Sequence, residues 1–178
     1  LFNNRTYVFL GDGCMQEGVA SEAASMAGHL GLKNLIAFYD DNHITIDGDT
    51  NCAFTEDVGK RFESYNWNVL TVKNGDEDLS ALWNAIVKAQ QEKERPTLVC
   101  VQTTIGFGSL NQGKASVHGA PLKEDDIAQL KTKFGFNPEE KFVVPHDVRD
   151  AYKSYADRGA AKHAESVSYT HLRAHETV

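Results

Sequence analysis

The sequence predicts an α/β fold, a doubly wound parallel sheet with helices on both faces. Two observations lead to this prediction. Short apolar runs rich in β-branched and aromatic residues alternate with longer segments of helical periodicity, and turn residues separate many of them. Strands joined through helices make right-handed crossovers, which require a parallel sheet covered on both faces. Ligands of such folds bind beyond the carboxyl ends of the strands, so a functional site is expected in the loops that follow them.

Each predicted strand is a short run dominated by residues that pack well on a pleated surface. The first strand ends on the turn Gly11-Asp12-Gly13, and Pro96 precedes the fourth. The four strands are predicted at residues 6–10, 35–39, 68–72 and 97–103.

Helices are predicted where apolar or small residues recur every three or four positions. Gly31 stands where a left-handed C-cap ends the first helix. Thr55 is the expected N-cap of the second, with Glu56 and Asp57 favourable in its first turn. The first helix is predicted at residues 17–30, and the later helices at residues 79–89, 124–134 and 147–164.

Composition excludes several classes of protein. The chain has 178 residues, enough for one domain with a sizeable core, and a net charge of -7 at pH 7. Because no long basic run occurs, no nucleic-acid or anionic-membrane partner is expected. The longest apolar stretches fall well short of the roughly 20 residues that span a membrane.

The cysteines indicate a reducing, intracellular compartment. The chain has an odd number of cysteines, Cys14, Cys52 and Cys100, and no two of them form a Cys-x-x-Cys pair. The chain opens at Leu1, a few residues ahead of a predicted strand, so we expect it to be a fragment that lacks the preceding part of its protein.

Two polar turns carry the candidate chemistry. At Gly11-Asp12-Gly13 the backbone can approach an anion closely, although a tight turn is the commoner role of such a triplet. The second strand leads into Asp40, Asp41 and Asn42, at the same sheet edge as Asp12 if the strands are near neighbours. Oxygen donors of this kind suit Mg²⁺ shared with a cofactor's phosphates. The alternative is an ordinary polar turn.

Seven sequence blocks resemble the transketolase family of thiamine diphosphate enzymes. The resemblance covers residues 6–165, and the blocks occur in the family's order. They are GDG at 11–13, QEG at 16–18, SEAASMAGHL at 21–30, YDDNHITIDG at 39–48, TTIGFGSL at 103–110, SVHGAPL at 116–122 and KFGFNP at 133–138. The implied fold is the thiamine diphosphate-binding fold, here as an incomplete domain.

The resemblance implies a metal and diphosphate site. Asp12 and Asn42 would ligate Mg²⁺ (or Ca²⁺) through side-chain oxygens, and Ile44 through its backbone carbonyl. Gly13 would donate its N–H to the diphosphate of the cofactor. Asn42 follows two aspartates rather than another asparagine, as in transketolases.

Further roles follow from the same resemblance. His118 would lie between the diphosphate and the reacting sugar as a catalytic and cofactor-contacting residue, whereas a lone histidine is more often structural. Ile46 and Ile105 would contact the thiazolium region of the cofactor. Glu17 and Glu22 would join a carboxylate network across a homodimer interface. Without the resemblance, these glutamates are ordinary helix residues.

The remaining thiol and histidines have smaller expected roles. Cys14 follows the phosphate turn and is expected to pack rather than to act as a nucleophile, because no basic partner adjoins it in sequence. His29 is expected to pack at a helix end, and His43 to border the metal loop.

The implied function of the parent protein is transfer of a two-carbon ketol unit from a ketose phosphate to an aldose phosphate, in the cytoplasmic pentose phosphate pathway. The activating glutamate and the arginines that bind sugar phosphate lie outside this fragment, which alone is expected to be inactive. One alternative is dihydroxyacetone synthase, a peroxisomal relative that uses formaldehyde. Another is a non-catalytic cofactor-binding or dimerisation module.

The carboxyl-terminal part is expected to depart from the family. Residues 1–145 are predicted to form the diphosphate- and Mg²⁺-binding domain, and residues 146–166 to begin a linker. Residues 167–178 (VSYTHLRAHETV) are predicted to be a non-native tail that makes few core contacts. His171 and His175 have helical spacing, but Leu172 stands where the two-histidine metalloprotease motif needs Glu.

Overall fold

The computed structural model describes residues 3–176, with side chains described as far as residue 170. The strands are β1 (Thr6–Gly11), β2 (Leu35–Asp41), β3 (Ile44–Thr45), β4 (Gly48–Asp49), β5 (Asn68–Val72) and β6 (Thr97–Gln102). The α-helices are α1 (Asp12–Met15), α2 (Gly18–His29), α3 (Val58–Ser64), α4 (Leu79–Gln91), α5 (Glu124–Lys133) and α6 (His146–Glu176). Short 3₁₀ turns occupy Thr50–Cys52 and Ala115–Val117.

The main sheet is parallel and has the order β1-β2-β6-β5. Gly11 pairs with Asp40 and Asp41 pairs with Gln102, so the carboxyl ends of three strands meet at one edge. The predicted α/β class and parallel sheet are confirmed. β2 continues two residues past the predicted end at Tyr39, because Asp40 and Asp41 still pair with β6.

The strands alternate their side chains between two core clusters, as the pleat requires. One cluster, which we call the α2–α3 cluster, lies on the face covered by those helices; the other, the α4 cluster, lies on the opposite face. The α2–α3 cluster includes Ala24, Ala27, Ala37, Tyr39, Val58, Phe62, Trp67, Leu98 and Cys100, whereas the α4 cluster includes Ile36, Phe38, Val72, Ala85, Ala89, Val99 and Val101. Helices therefore cover both faces of the sheet, as predicted.

The start of α3 differs from the prediction. Thr55 is not the N-cap; Asp57 is, and its carboxylate accepts a hydrogen bond from the backbone N–H of Lys60 at 3.0 Å. The side chain of Lys60 also pairs with this carboxylate at 2.9 Å. These interactions hold the pKa of Asp57 below its usual range, the backbone hydrogen bond being the largest cause. A carboxylate caps better than a threonine hydroxyl, so the helix begins two residues later than predicted.

Two further elements were not predicted. The segment after β2 forms a small antiparallel hairpin, β3–β4, and a separate one-turn helix, α1, precedes α2. Strands of two residues are too short for an alternation pattern to reveal them.

β1 is an edge strand of the sheet, and it carries two large aromatic side chains that are exposed. Phe9 is 81% exposed and Tyr7 is 43% exposed. Both rings stack on Phe38 of the neighbouring strand, with centroids 5.5 and 6.4 Å away. This end of the sheet is therefore apolar and open within the described residues.

The chain divides into two compact units, Leu1–Phe136 and Asn137–Val178. In the second unit α6 is one helix that contains the predicted helix at 147–164, and residues 137–170 are exposed. α6 continues past residue 166, and residues 177–178 of the predicted tail lie outside the described residues. The proposed boundaries and the non-native tail stay predictions. No helix within residues 3–176 is long and apolar enough to cross a membrane.

Close packing between α2 and the end of α3 generates a stability prediction. A Cβ added at Gly28 would lie 1.7 Å from the backbone oxygen of Tyr65. The neighbouring indole of Trp67 is fixed by a 2.8 Å hydrogen bond from its Nε1 to the Ala24 carbonyl oxygen. We therefore expect Gly28→Ala to lower the free energy of unfolding of the full-length protein by about 3 kcal/mol. Urea denaturation followed by circular dichroism measures this.

Gly18→Ala is the matched control on the same helix, since a Cβ there meets nothing within 4 Å. It should leave stability unchanged or raise it slightly, because alanine favours the helix. Equal stability of the two variants would show that the approach of α2 to Tyr65 does not constrain residue 28.

Candidate functional site

Acidic side chains meet where β1 and β2 end. Asp12 follows β1 directly and is 3% exposed, whereas Asp41 is the last residue of β2 and is half-buried. The pairing of Gly11 with Asp40 places both segments at the same edge of the sheet. Asp12 and Asn42 therefore lie on one edge, as the metal-site hypothesis requires.

The hydroxyl of Tyr39 lies close to the carboxylates of both Asp12 and Asp41. Its hydroxyl donates a hydrogen bond to Asp12 Oδ1 at 2.5 Å and lies 3.3 Å from Asp41 Oδ1. Burial, followed by the two neighbouring carboxylates, raises the pKa of Tyr39 far above its usual range. The hydroxyl therefore keeps its proton and acts as a donor.

The second oxygen of Asp12 has no such partner. Asp12 Oδ2 is buried and makes no hydrogen bond within the described residues. A buried carboxylate oxygen without a partner is costly, because water no longer solvates it. A cation would satisfy this oxygen, and the donor chemistry of the site therefore fits a metal ion.

Asp41 and His43 complete a group of three possible ligands with Asp12. One donor atom from each residue lies within 4.8 Å of the others, and His43 Nδ1 is 3.5 Å from Asp41 Oδ1. Burial raises the pKa of Asp41; His43 opposes the rise and the Asp12 carboxylate adds to it. His43 lies in the loop after β2, where it adopts a left-handed conformation with φ 61°.

Asn42 organises the loop that follows. Its Oδ1 accepts a hydrogen bond from the Ile44 N–H at 3.0 Å, and its Nδ2 donates to Asp40 Oδ2 at 3.1 Å. Asp40 also accepts a hydrogen bond from the hydroxyl of Thr103. Because an amide oxygen has two lone pairs, Asn42 Oδ1 retains capacity for a second partner. The ligand set Asp12, Asn42 and Ile44 stays a prediction.

Three of the predicted cofactor residues line one cavity of about 540 Å³. They are Gly13, Ile46 and His118, and Cys14 and Glu17 line it with them. Ile46 is 74% exposed, and His118 is exposed after the 3₁₀ turn Ala115–Val117. A Cβ added at Gly13 would meet nothing within 4 Å, so the space beside this backbone is open.

A second cavity of about 350 Å³ adjoins the acidic group. Asp12, Tyr39, Asp41 and His43 are among its lining residues. Asp12 thus stands beside this cavity, while the next residue, Gly13, lines the larger one. Ile105 is half-buried, and its carbonyl accepts a hydrogen bond from Gly113 N–H at 2.8 Å. It is not among the residues that line either cavity.

Glu17 and Glu22 are both exposed in the single chain. Glu17 occupies the N-cap position of α2, and its side chain makes no capping hydrogen bond. Their place in an interface network stays a prediction.

Sequence reasoning missed two groups that shape the site. Tyr39 fits the inward and outward alternation of β2 like any core aromatic residue, and nothing in that pattern indicates that its hydroxyl has a role. Asp126, 3% exposed, accepts hydrogen bonds from Leu110 N–H at 3.0 Å and from Gln129 Nε2 at 2.8 Å. Gln129 also donates to the Gly108 carbonyl at 3.1 Å. α5 therefore anchors the glycine-rich loop that leads to His118. An aspartate in a helix's first turn carried no signal for this contact.

The three cysteines differ in burial. Cys100 is buried in the α2–α3 cluster, and burial raises the pKa of its thiol to about 12. Cys14 and Cys52 are exposed free thiols, so the expectation that Cys14 packs is wrong.

Comparison with known proteins gives a consistent assignment. A family model described as the thiamine diphosphate binding domain of transketolase matches residues 1–174. The chain is 66% identical over 152 residues to the transketolase of Kluyveromyces lactis. It is 62% identical over 153 residues to transketolase 1 of Saccharomyces cerevisiae. These matches cover 85% and 86% of this chain, which spans about 22% of each relative.

Solved structures agree with this result. A mutant transketolase from Pichia stipitis in complex with xylulose-5-phosphate matches with a TM-score of 0.85 and 56% identity, over 90% of this chain and 24% of that one. The transketolase of Leishmania mexicana matches with a TM-score of 0.84 and 47% identity, over 89% of this chain and 24% of that one. The fold, the extent of the family match and the identity to these relatives show that the chain belongs to the transketolase family, within its thiamine diphosphate-binding domain.

Proposed function

We propose that the protein containing this chain transfers a two-carbon ketol unit from a ketose phosphate to an aldose phosphate. Thiamine diphosphate and Mg²⁺ (or Ca²⁺) would be bound at the carboxyl edge of the sheet. The observation that carries the proposal is the buried, partnerless Asp12 Oδ2 adjacent to the open space at Gly13. The printed descriptions of related transketolases, solved with xylulose-5-phosphate and sedoheptulose-7-phosphate, support the substrate class.

The residues present fit a metal-bound diphosphate. Asp12 Oδ2 supplies an anionic oxygen, and Asn42 Oδ1 and the Ile44 carbonyl supply neutral ones, which are the donors that hard divalent cations prefer. Asp12 and Gly13 are adjacent in the chain, so one turn serves both cation and diphosphate. The N–H of Gly13 is the donor for a diphosphate oxygen, since no side chain blocks the approach to it.

Other residues of this chain would shape the space around the cofactor. Ile46 offers an apolar side chain to the cavity that Gly13 lines, and this surface would exclude water from the reacting carbon. Ile105 follows β6 in the glycine-rich loop, and we propose it as a second apolar contact of the cofactor. When bound, thiamine diphosphate supplies the nucleophilic carbon and the electron sink of ketol transfer.

His118 is the residue we assign to the substrate. Its imidazole lines the same cavity as Gly13 and Ile46. There it would orient a sugar hydroxyl and accept or return the proton of that hydroxyl.

Parts of the activity belong to the rest of the protein. The glutamate that activates the cofactor and the arginines that bind phosphate are expected outside this chain, so the isolated chain should be inactive. We also propose a homodimer with the active site at the interface, where Glu17 and Glu22 are accessible for a carboxylate network. A cytoplasmic location is supported by the free cysteines.

Two alternatives are less well supported. The relatives named above are transketolases, which does not favour dihydroxyacetone synthase as the identity of the parent. A purely non-catalytic binding module would not need a histidine in the cavity beside the diphosphate turn. An activity assay of the full-length protein with xylulose-5-phosphate and either an aldose phosphate or formaldehyde separates these functions.

The metal site generates the first functional prediction. In the full-length enzyme, Asp12→Asn or Asn42→Ala should weaken Mg²⁺-dependent binding of thiamine diphosphate by about 1 kcal/mol or more, a factor of about five, because each removes an oxygen ligand or its charge. Titration of the cofactor-free enzyme by isothermal calorimetry measures the effect. Asp125→Asn, an exposed aspartate on α5, is the control and should bind normally. Unchanged binding in both site variants would reject the ligand assignment.

The second prediction concerns His118. Replacement by alanine should lower kcat by about 100-fold through loss of proton transfer, while cofactor affinity changes much less. Steady-state kinetics at saturating cofactor, together with a cofactor titration, separate the two quantities. His146→Ala, in α6, is the matched control. If His118→Ala turns over as fast as the parent, His118 is structural.

A further inference from the structure

We infer that Tyr39 is a positioning residue for the divalent cation, whose hydroxyl holds Asp12 Oδ1 and thereby leaves Asp12 Oδ2 as the oxygen offered to the metal. The inference rests on the metal site of the proposed function and names a group on which the affinity of that site depends.

The geometry separates the two oxygens of one carboxylate. Asp12 Oδ1 accepts the Tyr39 hydroxyl at 2.5 Å, whereas Oδ2 is buried without a partner in the described residues. Both side chains are almost fully buried, Tyr39 at 4% exposed and Asp12 at 3%. Because little of either side chain reaches solvent, the rotation of the carboxylate depends on the phenol.

The backbone makes this contact rigid. Tyr39 lies in the middle strand pair of the sheet, paired with Leu10 on β1 and with Cys100 on β6. Its ring packs in the α2–α3 cluster. This packing fixes the position of the hydroxyl near the carboxyl edge of the sheet. A metal ligand oriented by a group on a central strand is held more firmly than one oriented by a loop.

The same hydroxyl also bears on Asp41. Asp41 Oδ1 lies 3.3 Å from the Tyr39 oxygen, so one donor stands between two carboxylates that repel each other. Removal of the donor would leave a second buried oxygen of Asp12 without a partner. The carboxylate is then free to turn toward His43, and this rotation competes with the cation for Asp12.

The ring and the hydroxyl can be tested separately, because Tyr39→Phe keeps the ring in the α2–α3 cluster and deletes only the donor. The full-length protein is titrated with Mn²⁺ at saturating thiamine diphosphate, and free Mn²⁺ is read by electron paramagnetic resonance. Thermal unfolding of the metal-free protein is measured in parallel. We expect Mn²⁺ affinity to fall about 10-fold, as for loss of an outer-shell partner of a metal ligand. The metal-free variant should unfold at a somewhat lower temperature than the parent, because a buried carboxylate oxygen loses its donor, and kcat should recover at saturating Mn²⁺.

Two further variants make the result decisive. Tyr65→Phe is the matched control, since Tyr65 packs edge-on against Phe62 beside the same cluster, and it should bind Mn²⁺ normally. Asp12→Asn tests the metal site itself and should lose more affinity than Tyr39→Phe.

The outcomes distinguish the two proposals. If Asp12→Asn loses Mn²⁺ binding and Tyr39→Phe does not, the metal site stands and the role of Tyr39 is overturned. If Asp12→Asn also binds Mn²⁺ like the parent, the proposed metal site fails, and the inference fails with it. Lower metal-free stability of Tyr39→Phe with unchanged affinity assigns the hydroxyl to folding alone and overturns the inference.

Discussion

The burial of one carboxylate at the end of β1 is the constraint around which the site is built. An ionised carboxylate removed from water costs several kcal/mol unless partners replace the lost solvation. Tyr39 replaces it at one oxygen of Asp12, and nothing described replaces it at the other. The apolar packing on both faces of the sheet holds this arrangement in place. The packing free energy of the core thereby offsets the cost of a buried carboxylate oxygen without a partner at the carboxyl edge.

Most of the fold could be predicted from the sequence, because the strands are short apolar runs of simple composition. β1, β5 and β6 lie within one residue of the predicted bounds, and the parallel order follows from the helices between them. The errors are local. Asp57 rather than Thr55 caps α3, since capping is a competition between nearby donors and acceptors that periodicity does not reveal. The two-residue strands β3 and β4 are too short to carry a pattern.

Strand topology was enough to predict which residues share the carboxyl edge of the sheet. It was not enough to predict side-chain contacts between residues that are distant in sequence. Parallel strands bring their carboxyl ends together, so the proximity of Asp12 to the end of β2 follows from strand order. The bond from Tyr39 to Asp12 joins residues 27 positions apart, and its donor has the same alternation as any core aromatic residue. The anchoring of the glycine-rich loop by Asp126 was hidden for a similar reason, because its acceptor role depends on where α5 folds back.

The open flank of β1 determines how this chain behaves when it is separated from the rest of its protein. An edge strand presents unpaired backbone donors and acceptors, and here Tyr7 and Phe9 place aromatic surface beside them. No proline or inward-pointing charge interrupts residues 6–10 to discourage a second strand from adding there. Expressed alone, the chain therefore carries a template for intermolecular sheet extension. We expect its solubility to improve when that flank is covered, and a charged residue in place of Phe9 is one change that discourages strand addition there.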